Sequence, residues 1–548
     1  PQYETGKSFE EIGLDTTVTE LFGAVSTPGE DRLIYDPPYV HQEEAIRQGL
    51  VDEESMLVMT GTGSGKTECF LLPILGELAK EAYHRSSFQE HDAVRAILLY
   101  PMNALVNDQL GRLRNTFGDD RIRSRFIDWG GRPARFARYT SRTLYPGVRT
   151  KEKDQRRLRP IKKFYIRLQE LAEEGDGSAE KLIRSLKKDG KWPAKPDLRA
   201  WYGEDGKHWT NGDDEFQRCI TLEEDAELLT RHEVLEAPPD VLVTNYSMLE
   251  YMMMRPIERP IFDKTSRWLA ENPEEKLLLV VDEAHLYRGA SGAEVALLLR
   301  RLRKRLDIPE ERLQVICTSA SFQDRGRAAE FGANLTGKNK EQIHVIDGEL
   351  KERSPANAGE ASDVQALLDV SVSDFHNAES EEERLEAVRP FLDYRGVNGD
   401  GVQTSLFEAL KDYPPMGRLV NKTMTDATPP EELAKDLFPD VNRETGEEAL
   451  TALMSMGSVA RESGGQSGLL PSRIHTFFRG LPGLWVCPDE ECTALPENAR
   501  GKGNTGKIYG QPREACECGA RVFELYTCRN CGTAFFRAYT NNLSNPKY

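Results

Sequence analysis

The sequence predicts an α/β chain built on a parallel sheet covered on both faces by helices, followed by a mainly helical segment and a cysteine-rich one. Three observations carry this reading. Short, almost wholly apolar runs at residues 57–59, 96–100, 241–243, 277–281 and 315–317 suit strands buried on both faces. Around residues 35–130 these runs alternate with stretches of helical period, as a series of strand-helix-strand units does. A glycine-rich loop then joins the first run to the first helix, reading Thr60-Gly61-Thr62-Gly63-Ser64-Gly65-Lys66-Thr67.

That loop follows an apolar run at residues 56–59 and opens a helix-like stretch at 68–78, the context in which such a motif has meaning. Its glycines let backbone N–H groups crowd around phosphates, Lys66 is placed to meet the β/γ oxygens, and Thr67 offers a hydroxyl to Mg²⁺. The candidate nucleotide-binding residues are therefore Gly61, Thr62, Gly63, Ser64, Gly65, Lys66 and Thr67. Thr60 stands where the usual pattern has glycine, a mild departure because three glycines remain. The run at 277–281 ends in Asp282-Glu283-Ala284-His285. Asp282 is expected to hold Mg²⁺ through water and Glu283 to polarise the attacking water, the two roles that phosphoryl transfer to water requires.

Further pieces come in a fixed order. Pro37-Pro38-Tyr39-Val40-His41-Gln42 precedes the loop, and Pro101-Met102-Asn103-Ala104-Leu105-Val106-Asn107-Asp108-Gln109 follows the run at 96–100. Thr244-Asn245-Tyr246-Ser247-Met248-Leu249 follows the run at 241–243, and Thr318-Ser319-Ala320-Ser321 the run at 315–317. In this order they resemble the first RecA-like domain of superfamily 2 helicases, with a Gln motif and motifs I, Ia, Ic, II in its DEAH spelling and III. Asp282-Glu283-Ala284-His285-Leu286-Tyr287-Arg288-Gly289-Ala290-Ser291-Gly292, with Leu299-Arg300-Arg301-Leu302 behind it, looks more specifically like the YprA/MrfA group of bacterial DNA helicases. The large helicases of the Druantia and DISARM phage-defence systems are similar to that group.

The resemblance is strong over residues 35–110 and 238–325. It implies a RecA-like motor domain that uses ATP and Mg²⁺, with Lys66, Asp282, Glu283 and His285 catalytic and Gln42 reading the adenine edge. It further implies that Asn103 and Thr244-Asn245 touch strand phosphates, and that residues 319–321 couple hydrolysis to movement through His285. The implied partners are DNA, single-stranded or duplex with a single-stranded tail, and other defence-system subunits. Two other readings stay open: an ATP-dependent nucleic-acid-binding switch or scaffold that does not unwind, and an RNA helicase.

Length and composition bound these readings. A chain of 548 residues is too long for one core and suggests three to four domains. No apolar run is long enough for a membrane span and no charged-then-apolar leader opens the chain, so no membrane partner is expected and a cytoplasmic location is. The net charge of −18 argues against a simple basic coating module. Residues 132–149 nevertheless carry Arg132, Arg135, Arg138, Arg142 and Arg149 with Phe136, Tyr139 and Tyr145 interleaved and no acid, a stretch expected to bind phosphates. Behind the DEAH segment Val295, Leu298, Leu299, Leu302 and Leu306 recur at helical spacing, with arginines on the other faces.

The expected organisation is a lead-in over 1–34 and a RecA-like ATPase domain over 35–350. A charged insertion at about 150–236, with Trp192, Trp201 and Trp209, reads either as solvated helical surface or as a DNA-contacting or autoregulatory element. A helical accessory domain at 351–468 and a cysteine-rich segment at 469–548 follow. Six of nine cysteines fall between Cys487 and Cys531, which points to metal ligation rather than disulfides. Cys487-x4-Cys492 and Cys516-x-Cys518 form the preferred zinc-ribbon-like site. Cys528 and Cys531 are either half of a second zinc site or replacements for one pair; iron–sulfur ligation is the rival chemistry. The lone Cys69, Cys219 and Cys317 read as small buried residues. No segment resembling Gln-x-x-Gly-Arg-x-Gly-Arg occurs between Ser321 and Tyr548, so a second RecA-like domain is not expected in this chain.

Overall fold

The computed structural model describes residues 3–29, 32–61, 63–144, 158, 161–202, 221–319, 324–399, 401–425, 428–462, 468–470, 483–501, 505–527 and 534–537. Thr62, Tyr145, Arg149, Trp209, Cys219, Ala320, Ser321, Cys528 and Cys531 lie outside the described residues. The chain forms two compact units that interleave in sequence: residues 1–361 with 412–446, and residues 362–411 with 447–548.

The first unit is organised by eight strands: β1 (Ser55–Met59), β2 (Ala96–Tyr100), β3 (Phe136–Arg138), β4 (Glu227–Leu228), β5 (Val241–Asn245), β6 (Leu277–Val281), β7 (Leu313–Ser319) and β8 (Ile343–Asp347). They hydrogen-bond in the order β4-β3-β5-β2-β6-β7-β1-β8, every pair parallel. Successive side chains leave a strand on opposite faces. Leu98, Val243, Val280 and Ile316 therefore feed one apolar core, and Leu99, Leu242, Val281 and Cys317 feed the other. Both cores are lined by helices, which is why these strands are apolar at almost every position. The five apolar runs all lie within strands, as expected.

Three strands escaped the reading. β3 and β4 span three and two residues, too short for any periodicity, and β8 is an edge strand carrying His344 and Asp347. The presence of β3 corrects the expectation of a free basic stretch at residues 132–149. Because β3 lies between β4 and β5, Phe136 and Tyr139 are buried in the cores. Arg132 turns inward at the amino end of the strands, where its guanidinium donates to both oxygens of Asp240 at 2.7 and 2.9 Å. Arg95 joins it on Asp240 at 3.0 Å and also pairs with Glu81 at 2.5 Å, and the Arg135 N–H donates to Asp240 at 2.7 Å. Of the arginines described here, only Arg138 and Arg142 remain near the carboxyl ends of the strands, Arg138 half-buried and Arg142 exposed.

The segment between β3 and β4 has its own small core of Leu158, Ile166, Trp192, Leu198 and Trp201. It is tied inward by Lys195, fully buried between Asp225 at 2.6 Å and Glu233 at 3.0 Å. Before β1, the helix Thr16–Ser26 adds Val18, Leu21, Phe22 and Val25 to the sheet's core. Residues 412–446 return to this unit: the Gly359 N–H donates to the Leu437 carbonyl at 2.8 Å, and Asn421 accepts from the Arg353 N–H at 2.7 Å.

The second unit holds the helices Val372–Asn377, Glu381–Tyr394 and Val402–Leu410, most of Arg443–Val459, and a small antiparallel sheet. That sheet runs β10-β9-β11-β12, from β9 (Trp485–Val486), β10 (Ile508–Tyr509), β11 (Phe523–Thr527) and β12 (Ala534–Arg537). Among the described residues there is no second parallel sheet.

Asp240 is fully buried and balances Arg95 and Arg132, which hold its carboxyl below the usual carboxylate range against the opposing effect of burial. Asp240→Ala would strand the buried Arg132 guanidinium and leave Arg95 with Glu81 alone, a change that costs about 3–5 kcal/mol. Chemical denaturation should register a loss of that size; a loss below about 1 kcal/mol would show that the arginines find other partners.

Candidate active site

Strand order brings the two chemical motifs together. The phosphate loop leaves the carboxyl end of β1 and the DEAH segment leaves that of β6, with β7 between them. The register sets Met59 beside Ser319 and Val281 beside Cys317, so the last residues of β7 face both motifs. Thr318 donates its hydroxyl to Asp282, and the Thr60 N–H donates to the Ser319 carbonyl at 3.2 Å. The sequence expects this strand end to meet the DEAH segment at His285; the contact of Thr318 with Asp282 is additional.

Within the loop, Gly63 and Gly65 adopt φ of +81° and +79°, which L side chains rarely do. At Gly65 a Cβ would also lie 2.3 Å from Gln42 Nε2, so that position has no room for one. Gln42 uses both ends of its amide: Nε2 donates to the Gly65 carbonyl at 3.1 Å and Oε1 accepts from the Tyr39 N–H at 3.0 Å. His41, not singled out from the sequence, meets the Ser64 carbonyl at 2.9 Å. Thr60 has a use of its own, because the Ser64 hydroxyl donates to Thr60 Oγ1 at 2.6 Å. The loop is thus held from outside by side chains, while its helix, Glu68–His84, starts directly after Thr67.

Glu283 has φ +50°, a left-handed conformation costly for a residue with a Cβ and retained where surroundings enforce it. Its carboxylate sits 3.8 Å from Lys66 Nζ and 3.3 Å from His285 Nδ1. Ser319 Oγ lies 3.4 Å from the same ring nitrogen. Burial pushes the Asp282 carboxyl above its ordinary range and Glu283 adds to that, with the Thr318 hydroxyl and Lys66 opposing it. A buried anion short of positive charge beside a threonine hydroxyl is a donor set suited to Mg²⁺, a hard cation that prefers oxygen ligands.

The motifs expected on the nucleic-acid side also meet. β2 and β5 are neighbours with Tyr100 beside Asn245, and Asn245 Nδ2 donates to Asn103 Oδ1 at 2.7 Å. Arg138 donates to Asn107 at 2.7 Å. Asn103 and Asn107 stand on the first turns of the helix Asn103–Phe117, whose Gln109 reaches within 3.5 Å of the Thr67 hydroxyl.

In the second unit, Cys487, Cys492, Cys516 and Cys518 bring their sulfurs within 4.8 Å of one another, the four preferred from spacing. Cys487 and Cys518 are 3.6 Å apart and Cys492 and Cys516 are 3.5 Å apart. Four thiolates about 2.3 Å from a tetrahedral zinc would be ~3.8 Å from each other, so the cluster fits. Two turns shape it. Gly519 takes φ +89° after the second pair, and at Gly506 a Cβ would lie 2.5 Å from that of Cys492. Burial raises the Cys516 thiol, but the Cys518 N–H and the Tyr509 hydroxyl outweigh that and bring it to about 6. Cys69 and Cys317 are buried among apolar residues, as expected.

The chain is similar to several known proteins. The DEAD/DEAH box helicase model matches residues 39–143. A YjiV N-terminal domain model matches residues 508–548. Over nearly its whole length the chain is similar to Druantia protein DruE of Escherichia coli (strain UMEA 4076-1), 38% identical over 568 residues that cover 99% of this chain and 30% of that protein. The chain therefore spans about a third of the length of that relative. The uncharacterized ATP-dependent helicase MJ1574 of Methanocaldococcus jannaschii is 35% identical over 116 residues, 20% of this chain and 16% of that one. Among solved structures, the DUF1998 helicase MrfA bound to DNA aligns at 21% identity and a TM-score of 0.33, covering 63% of this chain and 29% of that one. No helix among the described residues is long and apolar enough to cross a membrane.

Two outcomes follow from the sites. Lys66→Ala removes the cation facing Glu283, and ATP hydrolysis by the full-length protein should fall by about 10²–10³; hydrolysis within threefold of the parent would exclude Lys66 from the site. Metal analysis should find zinc, and Cys487→Ser with Cys492→Ser should lower its content and loosen the local fold, because a core this small depends on its metal. Unchanged zinc would place the metal on other cysteines.

Proposed function

We propose that this chain is the ATP-hydrolysing motor segment of a helicase or translocase that acts on DNA in bacterial anti-phage defence, in the cytoplasm and with other subunits. The observation that carries the reading is the meeting of Lys66 and Glu283 at 3.8 Å across the carboxyl end of β7. In this reading Gly61, Thr62, Gly63, Ser64 and Gly65 cradle the phosphates, Lys66 faces the β/γ oxygens, and Gln42 lies beside the base. Thr67 and Asp282 hold Mg²⁺, which when bound offsets phosphate charge. Glu283 takes a proton from the attacking water, and His285 links that step through Ser319 to the end of β7. Asn103, Asn107, Arg138, Arg142 and Asn245 would meet the strand's phosphates. The identity to a Druantia protein supports the defence setting, and the YprA/MrfA-like wording of residues 282–292 supports DNA.

The domain scheme proposed with it is a motor over residues 35–350 with an insertion at 150–236, accessory helices over 351–468, of which 412–446 fold with the motor's unit, and a structural zinc segment over 469–548. Zinc closed by Cys487, Cys492, Cys516 and Cys518 leaves no open position for water, so its role is to fold the segment. Cys528 and Cys531 would belong to a second site.

Strand displacement by the full-length protein tests the reading, with tailed DNA and tailed RNA duplexes side by side and Glu283→Gln as control. ATP-dependent displacement of the DNA strand, lost in the control, is expected. Nucleic-acid-stimulated ATPase without displacement of either duplex would favour a switch or scaffold, and displacement of RNA alone would favour an RNA helicase.

A further inference from the structure

We propose that Tyr3 is a positioning residue for the nucleotide: the segment around it straps the outside of the phosphate loop, and its phenol holds the loop in the shape that receives phosphate. This rests on the reading of residues 60–67 as an ATP site.

The strap is stitched on both sides by backbone. Tyr3 bridges to Leu350, and the Glu4 N–H donates to the Glu349 carbonyl at 3.0 Å, just beyond β8. On the other side the Val40 N–H donates to the Glu4 carbonyl at 2.9 Å and the Gly6 N–H to the Pro38 carbonyl at 2.8 Å, at the start of the helix Val40–Leu50. The Tyr3 side chain is 5% exposed. Its ring meets His41 edge-on at 4.9 Å and Tyr39 at 5.6 Å. At Gly348 a Cβ would lie 2.6 Å from the ring, so this position leaves room for the tyrosine by lacking one.

The hydroxyl reaches the loop itself. A Cβ on Gly61 would be 3.3 Å from the Tyr3 oxygen, and Gly61 and the Ser64 side chain are the loop groups within its electrostatic reach. A hydroxyl both donates and accepts, so the Tyr3 phenol is placed to take the Gly61 N–H and to donate to Ser64, whose own hydroxyl donates to Thr60 at 2.6 Å. His41 fixes the Ser64 carbonyl from the same side. With Ser64 held by His41 and Gly61 covered by Tyr3, the outer side of the loop is occupied and its later N–H groups are left for phosphate. A loop ordered in advance loses less freedom when ligand binds, so the effect belongs to affinity rather than to the chemical step.

The test uses the full-length protein, with a fluorescent ADP for affinity and steady-state hydrolysis for the KM and kcat of ATP. Tyr3→Phe keeps the ring and its packing but removes the hydroxyl; a hydrogen bond of ordinary strength predicts about 2- to 10-fold weaker ADP binding and a matching rise in KM. Tyr3→Ala should weaken binding further, with kcat changed less than about twofold in Tyr3→Phe. ADP affinity within measurement error of the parent in both variants would overturn the proposal. So would a fall in kcat at unchanged affinity. A parent protein that binds no ADP would overturn the ATP-site reading, and this proposal with it.

Discussion

The position of β7 between β6 and β1 is the constraint on which the site depends. Hydrolysis needs a fixed cation and a water-polarising carboxylate within a few ångströms, yet Lys66 and Glu283 are more than two hundred residues apart in the chain. Parallel pairing through one intervening strand places both carboxyl ends on the same edge of the sheet. The intervening strand then becomes part of the site, since Thr318 bonds Asp282 and Ser319 approaches His285. A change in the register of β7 would separate all four groups at once. The left-handed backbone at Glu283 is strain at the point where chemistry needs the carboxylate turned toward Lys66.

The two ends of the sheet solve different problems. At the amino ends, charge is buried and closed on itself, with Arg95 and Arg132 on Asp240, Arg95 on Glu81, and the Trp268 indole N–H donating to Glu81 at 3.1 Å. The network ties β5 to the segments that precede β2 and β3. At the carboxyl ends polar groups meet in smaller sets, such as Asn103 with Asn245 and Gln42 with Gly65. This division shows why counting arginines misleads. Arg132 and Arg138 are six residues apart on one basic run, yet β3 sends the first to the structural end and the second to the functional one.

The small segments follow the rule that a core too small for its length needs another tie. Between β3 and β4 the tie is Lys195 buried between two carboxylates, around Trp201. In the second unit it is four converging sulfurs, around which β9, β10 and β11 are only two to five residues long.

By itself the sequence determined the parallel sheet, the phosphate loop, the DEAH segment and the four cysteines that converge. Each of these is a local pattern: apolar runs, glycines at positions of positive φ, and thiols at knuckle spacing. Only the tertiary structure decided that β3, β4 and β8 exist, that Arg132 is internal, that Thr318 and His41 belong to the site, and that residues 412–446 return to the first unit. These depend on which strand lies beside which and on what a side chain meets after the chain has crossed the sheet. Such contacts join residues separated by tens to hundreds of positions, and no periodicity or spacing within a short window encodes them.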